Sequence, residues 1–177
     1  MLDQVERSFW TMSGTVEIPA PAKDVWDAIA SPGSLESCHP FVERNPVEKW
    51  AGAGAKDQVH YYSGLIYYRE FYKWEEGAGY DLLIGTKGRL SNKVSWRVRA
   101  SGEHESTLTI TVHPLNITGR KKLIYWAPLL FYYRPLLKRY LHSVVCGYRY
   151  FLTTGEPVPR NQFGALRPYS PRVRAPQ

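Results

Sequence analysis

Residues 14–29 read Gly-Thr-Val-Glu-Ile-Pro-Ala-Pro-Ala-Lys-Asp-Val-Trp-Asp-Ala-Ile. The alternation of polar and apolar residues from Thr15 to Ile18 predicts a strand, and the prolines that follow it predict a corner. Pro21 falls where the first turn of a helix tolerates a missing N–H group. The next apolar residues have helical spacing, so the stretch predicts a strand, a sharp corner and a short amphipathic helix.

The elements predicted around this stretch follow a simple order. The first strand is expected over 10–18, and two short helices over 22–30 and 34–38. Glycine-rich turns then separate extended segments, which predicts an antiparallel meander over 42–50, 58–62, 65–74, 80–84, 93–100 and 106–113. Apolar residues with helical spacing over 134–152 predict a long final helix that ends at Gly155.

The stretch 14–29 and the order of the elements resemble the START/Bet v 1-like superfamily, also called SRPBCC or polyketide cyclase/dehydrase-like. The resemblance covers residues 10–155. It implies an α+β helix-grip fold, with a curved antiparallel seven-stranded sheet around a long C-terminal helix and two short helices between the first two strands. We therefore expect a ligand-binding domain over 1–155 and an extended tail, rich in proline and arginine, over 156–177.

The composition narrows the classes of function. The 177 residues suit one domain, and 14% are aromatic, which indicates either a ring-lined cavity or ordinary cross-strand pairs. The net charge of +7 is not concentrated, and no nucleic-acid-binding motif accompanies it, so no nucleic-acid partner is expected. Cys38 and Cys146 lie far apart without metal-ligand spacing, so neither a metal nor a cofactor is expected.

The cysteine content and the N-terminal residues also bear on location. Two isolated cysteines are typical of a reduced compartment. The first residues are charged and lack the apolar core of a signal peptide, and no apolar run is long enough to span a bilayer. The sequence therefore predicts a cytoplasmic protein.

The turn at Ser63-Gly64 leads to the first candidate catalytic residue. A two-residue loop pairs Val59 with Tyr68, and this register places Tyr68, Glu70 and Tyr72 on the face expected to line the cavity. A carboxylate among aromatic rings has a raised pKa or a charged partner, and such groups are frequent in catalysis. The alternative is that Glu70 lies near the sheet edge, or that it pairs with Arg69 or a lysine.

His39 is the second candidate catalytic residue. It lies where the second short helix meets the next strand, a region that borders the cavity mouth in helix-grip proteins. A histidine there would act as a general base or donate a hydrogen bond to a ligand. The alternative is a histidine at a helix end, beside a proline, with no role in the site.

The predicted ligand-binding residues are side chains, mostly aromatic, expected on the cavity side: Tyr61, Tyr68, Tyr72, Trp96, Trp126, Phe131, Tyr140, Val144 and Tyr148. The resemblance implies binding, transport or sequestration of a hydrophobic small molecule, such as a lipid, a polyketide or an aromatic metabolite. One alternative is a polyketide aromatase/cyclase-type enzyme that uses polar groups of the same cavity. Another is an interaction module that binds a partner through the basic tail. The sequence favours binding over catalysis and leaves the oligomeric state open.

A basic cluster followed by aromatic and apolar residues occupies 120–134. Basic residues that flank aromatic ones are typical of the membrane interface. The same pattern fits a lid over the cavity, or the first turns of the long helix. We therefore expect either a structural role or transient contact with a membrane surface.

Overall fold

The computed structural model describes residues 11–114 and 129–171. The first strand, β1 (Met12–Ile18), alternates between exposed and covered side chains and ends at the predicted proline corner. Helix α1 (Ala22–Ala30) begins directly after Pro21 and buries Val25, Trp26 and Ile29. These three residues share one face because of the helical period, so the predicted bounds and apolar stripe of α1 are confirmed.

The remaining strands follow helix α2 (Leu35–Cys38). They are β2 (Val42–Arg44), β3 (Val47–Lys49), β4 (Lys56–Tyr61), β5 (Ile66–Glu75), β6 (Gly79–Thr86), β7 (Arg89–Ala100) and β8 (Ser106–Pro114). The antiparallel sheet has the order β1-β8-β7-β6-β5-β4-β2, and β3 pairs with β4 beside this path. The predicted seven-stranded sheet is confirmed, but the single strand expected over 42–50 is divided at Pro46, which offers no N–H group to the ladder.

The long helix α3 (Arg134–Thr154) follows a π-helical turn (Leu129–Tyr133) and packs against the curled sheet. Two glycines permit close approach. A Cβ atom on Gly14 would lie 2.8 Å from Cβ of Leu141, and one on Gly147 would lie 2.2 Å from the carbonyl oxygen of Cys38. The helix ends at Gly155, whose φ of 72° is left-handed. The helix-grip fold is therefore confirmed.

Apolar residues of β7 and β8 pair with each other on the inner face of the sheet. Val94 pairs with Val112, and Trp96 pairs with Ile110. All four side chains are buried on the side that faces α3. The ring of Trp96 lies 5.3 Å from that of Tyr148 on the helix, which joins sheet and helix in one core.

The hairpin between β4 and β5 differs from the prediction by one residue. The N–H group of Tyr61 donates to the carbonyl of Leu65, and the N–H group of Gly64 donates back to the carbonyl of Tyr61, both at 2.9 Å. The loop therefore has three residues, with Gly64 at a left-handed φ of 83°. Val59 pairs with Tyr67, one residue short of its predicted partner. Side chains alternate along a strand, so this shift turns over β5 from Ile66 to Tyr72. The pairing with β6 is irregular between Phe71 and Lys73, and Trp74 still packs against the core.

The segment 156–171, here called the C-terminal strap, packs against the rest of the chain. The N–H groups of Val158 and Asn161 donate to carbonyl groups of the α2–β2 region at 2.8 and 2.9 Å. At its other end, the N–H group of Ser63 donates to the carbonyl of Tyr169 at 3.1 Å. The strap thus spans from α2 to the β4–β5 loop, and the domain boundary at residue 155 stays a prediction.

Candidate functional site

A pocket lies between the sheet and α3. Its volume is about 90 Å³, and it opens to solvent. Side chains from α2, β4 to β8, α3 and the strap line it, and most of them are apolar or aromatic. Such a lining, with a few polar groups, is typical of sites for small apolar molecules.

One end of the pocket is formed by stacked and tilted aromatic rings. The ring centroid of Tyr169 lies 4.4 Å from that of Tyr140 and 4.9 Å from that of Tyr61. The ring of Phe41 stacks on Tyr140 at 6.0 Å. These separations are within the range of favourable aromatic pairs. Because Tyr169 belongs to the C-terminal strap, a segment beyond the gripped helix supplies one wall of the pocket.

His39 lies in the same end of the pocket and is almost completely buried. Its Nδ1 accepts a hydrogen bond from the N–H group of Phe41 at 3.2 Å, and its Nε2 lies 3.1 Å from Oη of Tyr140. Burial, together with the positive charge of Arg69, lowers the pKa of His39 to about 3. The ring is therefore neutral, with its proton on Nε2, and donates to Tyr140.

The hydroxyl groups of Tyr61 and Tyr140 form a hydrogen-bonded pair, with 2.9 Å between their oxygens. Burial raises the pKa of both hydroxyls, so both keep their protons at neutral pH. The three groups form a chain that runs from His39 through Tyr140 to Tyr61. These hydrogen-bonded side chains place polar hydrogens beside a largely apolar space.

A buried ion pair completes this end of the pocket. Nε of Arg69 donates to Oδ1 of Asp57 at 2.7 Å, and Nη2 donates to Oδ2. Asn45 also donates to Oδ2 of Asp57, at 3.1 Å. Both members of the pair are buried, and Arg69 lines the pocket. The two parallel bonds fix the guanidinium plane, and the carboxylate compensates its charge.

The structure corrects the predicted positions of three residues of β5. Because of the shifted register, Glu70 points to the opposite face, where its side chain is exposed and lies 3.6 Å from Nζ of Lys56. Tyr68 and Tyr72 share that outer face and do not line the pocket. The cavity positions predicted for all three are wrong, and a catalytic role for Glu70 loses its geometric basis. The alternative, a surface carboxylate paired with a lysine, describes Glu70.

Four of the other predicted ligand-binding residues line the pocket: Tyr61, Trp96, Tyr140 and Val144. Tyr148 is fully buried instead, with its hydroxyl 3.3 Å from Oγ of Ser34. Phe131 is 73% exposed at the start of the helical segment, and Trp126 lies outside the described residues. Contact of any of them with a ligand stays a prediction.

The sequence reasoning missed Arg69, Tyr67 and Tyr169 as pocket residues. The first two were assigned to the outer face, because a two-residue loop was assumed. The glycine at the third position of Tyr62-Ser63-Gly64 is the signal for the longer loop. For the strap, the spacing of Leu166 and Tyr169 was the available signal, although it did not indicate which surface they contact.

Within residues 11–114 and 129–171, no group of three or more His, Cys, Asp or Glu side chains is placed to hold a metal ion. Over the same ranges, no helix combines the length and the apolar character needed to cross a membrane. Among these residues, the polar groups that line the pocket include tyrosine hydroxyls, the neutral imidazole of His39, the compensated guanidinium of Arg69 and the amide of Asn92.

A curled sheet that grips a helix, with a pocket between them, defines a helix-grip protein. The model of the family "Polyketide cyclase / dehydrase and lipid transport" matches residues 10–123, and the chain belongs to this family. The match ends before α3. The C-terminal strap, with Tyr169, therefore lies beyond the matched residues.

Several solved structures share this fold at low identity. DynU16, from the dynemicin biosynthetic locus, is 20% identical with a TM-score of 0.63, and covers 83% of this chain. This chain spans only 48% of DynU16. TTHA0849 from Thermus thermophilus is 14% identical with a TM-score of 0.60, over 82% of this chain and 99% of its own. Ara h 8.0201 is 12% identical with a TM-score of 0.55, over 82% and 98%. No curated protein matches the sequence.

Proposed function

We propose that this protein binds a hydrophobic small molecule in the pocket between the sheet and α3, as a carrier or sequestering protein. The observation that carries the proposal is a largely apolar lining that opens to solvent, with the hydrogen-bonded groups of His39, Tyr140 and Tyr61 at one end. Transfer of apolar surface from water contributes about 25 cal/mol per Å². The polar end would orient the ligand rather than supply most of its affinity.

The family and one neighbour are consistent with this class of ligand. The family description includes lipid transport as well as polyketide cyclases and dehydrases. DynU16 comes from the dynemicin biosynthetic locus. A lipid, a polyketide and an aromatic metabolite are therefore the classes of ligand to test first.

The second candidate function is a cyclase-type reaction on a polyketide or aromatic substrate, which the family description also includes. The specific observation in its favour is the contact of His39 with Tyr140 inside the pocket. A general base works best with a pKa near the working pH. Because His39 has a pKa of about 3, its neutral imidazole is a weak base, and binding is favoured over catalysis.

The test of binding is a calorimetric titration with a naphthalene that carries an acetyl group. Val144 lines the pocket, so Val144→Phe fills the space and is expected to weaken binding by tenfold or more. Ile66→Phe adds a ring of the same size at an exposed position on the outer face and serves as the matched control. Equal affinity in all three proteins would contradict binding in this pocket.

Contact with a membrane stays a separate prediction, supported by three exposed aromatic residues. Phe131, Tyr132 and Tyr133 are 73%, 61% and 58% exposed, and Arg134 follows them directly. Aromatic rings beside a basic residue suit the surface of anionic lipids. Sedimentation with vesicles of anionic phospholipid is the test, and Phe131→Ser with Tyr132→Ser is expected to reduce binding. Unchanged sedimentation of this variant would contradict membrane contact through these aromatic residues.

A further inference from the structure

We propose that the ligand presents a neutral hydrogen-bond acceptor, a carbonyl oxygen, to the hydroxyl pair of Tyr61 and Tyr140. The inference rests on the proposed function and adds to it the chemical class of the ligand's polar group. It follows from the number of polar hydrogens at one end of the pocket and from the balance of charge around them.

His39, Tyr140 and Tyr61 together have more polar hydrogens than hydrogen bonds between them. Nδ1 of His39 accepts from the backbone, so the single ring hydrogen of the neutral imidazole is on Nε2. With the two hydroxyl hydrogens of Tyr61 and Tyr140, three hydrogens are available. The three side chains share only two hydrogen bonds, from His39 to Tyr140 and between Tyr140 and Tyr61, and each bond uses one hydrogen. One hydroxyl hydrogen therefore remains, whichever way the hydroxyls are turned.

The remaining hydroxyl hydrogen has no acceptor among the described residues. Among the residues the structure describes, no further acceptor lies within hydrogen-bond distance of either hydroxyl oxygen. Both tyrosines line the pocket, and Tyr61 is only 2% exposed. A buried donor without a partner is costly, so the site favours an occupant that accepts its hydrogen bond. A purely hydrocarbon ligand would leave the donor unpaired.

The described lining of the pocket has no uncompensated charge. Arg69 is the only Lys or Arg side chain in the described lining of the pocket, and Asp57 already compensates it through two hydrogen bonds. His39 is neutral. A carboxylate ligand would therefore enter a buried site with no free counter-charge, which is strongly unfavourable. The balance of charge favours a neutral ligand.

The excess of hydrogens also favours a carbonyl over a hydroxyl group on the ligand. Either oxygen accepts the remaining hydrogen, but a hydroxyl ligand adds another hydrogen to a cluster that already has one in excess. A carbonyl accepts without adding a donor. The count thus favours a ketone, an aldehyde or an ester over an alcohol with the same carbon skeleton.

The experiment uses the full chain and a matched series of ligands. These are naphthalenes with an acetyl, an ethyl, a hydroxyethyl or a carboxylate group at the same ring carbon. We expect the acetyl compound to bind most tightly, by about tenfold over the ethyl compound, which is the usual size of one hydrogen bond. The carboxylate is expected to bind most weakly.

The variants test the count itself. Tyr61→Phe leaves the hydroxyl hydrogen of Tyr140 free, and Tyr140→Phe leaves that of Tyr61, so each single variant should keep most of the preference for the acetyl compound. The double variant removes both hydroxyls and should lose it. Tyr68→Phe removes a tyrosine hydroxyl from the outer face of the sheet, outside the pocket lining, and is the control that should behave as the original protein.

Infrared spectroscopy of the bound acetyl compound gives a readout that does not depend on affinity. Its C=O stretch should shift to lower frequency in the original protein and in both single variants, but not in the double variant. If the double variant fails to fold, the spectrum of the original protein still decides, because an unshifted C=O band overturns the inference. Equal affinity for the acetyl and ethyl compounds, or tightest binding of the carboxylate, overturns it while the proposed function stands. If no compound of the series binds, the proposed function itself fails.

Discussion

Two aromatic clusters occupy different parts of this fold, and they differ in how their polar hydrogens are used. The Trp cluster consists of Trp26, Trp50, Phe71, Trp74 and Tyr80. The Tyr cluster consists of His39, Phe41, Tyr61, Tyr140 and Tyr169. In the Trp cluster the indole N–H groups of Trp26 and Trp74 both donate to Glu76, at 3.0 and 2.9 Å, and that of Trp50 donates to the carbonyl of Ala30 at 2.8 Å.

The Trp cluster therefore satisfies its indole donors within the protein. In the Tyr cluster, His39, Tyr140 and Tyr61 together keep one unpaired hydroxyl hydrogen, the Tyr169 hydroxyl has no partner among the described residues, and the cluster borders empty space. Arg69 lies between the two. Its guanidinium carbon is 5.2 Å from the ring centroid of Phe71, and the same side chain lines the pocket. A count of aromatic residues does not distinguish core from site, but a count of their hydrogen-bond partners does.

The largest expected effect is on stability, in the Trp cluster. Trp26→Ala should lower the free energy of unfolding by about 4 kcal/mol, because Trp26 is 4% exposed and its removal leaves a cavity. Urea denaturation measures the loss. The affinity of the folded variant for acetyl naphthalene should not change, and a weaker affinity would show that the Trp cluster belongs to the site.

The second largest loss of stability is expected at the ion pair of Asp57 and Arg69, which lies between the two clusters. Asp57→Ala leaves the Arg69 guanidinium buried without a counter-charge, and should cost about 3 kcal/mol of stability. Adding Arg69→Met removes the charge and should restore most of the loss, as measured by urea denaturation. If the double variant is no more stable than Asp57→Ala, the buried charge is not the cause.

The Tyr cluster should show a pH dependence from His39. Its folded pKa of about 3 lies below the ordinary value of 6.5, so the unfolded chain binds a proton first as the pH falls. The contribution of His39 to the free energy of unfolding is therefore fully present above the unfolded pKa and is lost progressively as the pH falls below it. Between about pH 7.5 and about pH 5 the loss should be about 2 kcal/mol.

The control for this prediction is His39→Gln, which keeps a donor and an acceptor but does not titrate. Urea denaturation at both pH values gives the loss in each protein, and other titrating groups cancel in the difference. A variant that loses as much stability as the original protein would show that His39 is not buried in its neutral form.

The smallest expected effect concerns the strap. Tyr169→Ala removes aromatic contacts with Tyr61 and Tyr140, and should cost about 1 kcal/mol of stability. Because it also opens the pocket wall, the bound ligand should dissociate faster in stopped-flow measurements. Phe163→Ala changes a half-buried ring of the strap outside the pocket lining and is the control. Equal dissociation rates in the two variants would separate the strap from the site.

Much of the fold could be predicted because local signals and face patterns agree. The proline corner defined the start of α1, and the alternation of Trp96 and Ile110 with polar residues defined the inner face of β7 and β8. His39 was a candidate from its position alone, and it lies in the pocket.

The parts that could not be predicted depend on one residue of register or on distant contacts. A single extra residue in the loop at Gly64 exchanged Glu70 for Arg69 on the inner face of β5. A sequence pattern with aromatic residues on both faces of a strand does not decide between these registers. The position of Tyr169 depends on hydrogen bonds that Ser63 donates to the carbonyl groups of Pro168 and Tyr169, which no local pattern encodes.

The most direct test of the pocket is an NMR measurement of contacts between acetyl naphthalene and the methyl groups of the isotope-labelled protein. Val144 lines the pocket, while Val25 is buried in α1 away from the pocket lining. Our account predicts intermolecular nuclear Overhauser effects between the ligand and Val144, and none to Val25. Effects only at residues outside the pocket lining, or no effects with the ligand bound at saturation, would contradict it.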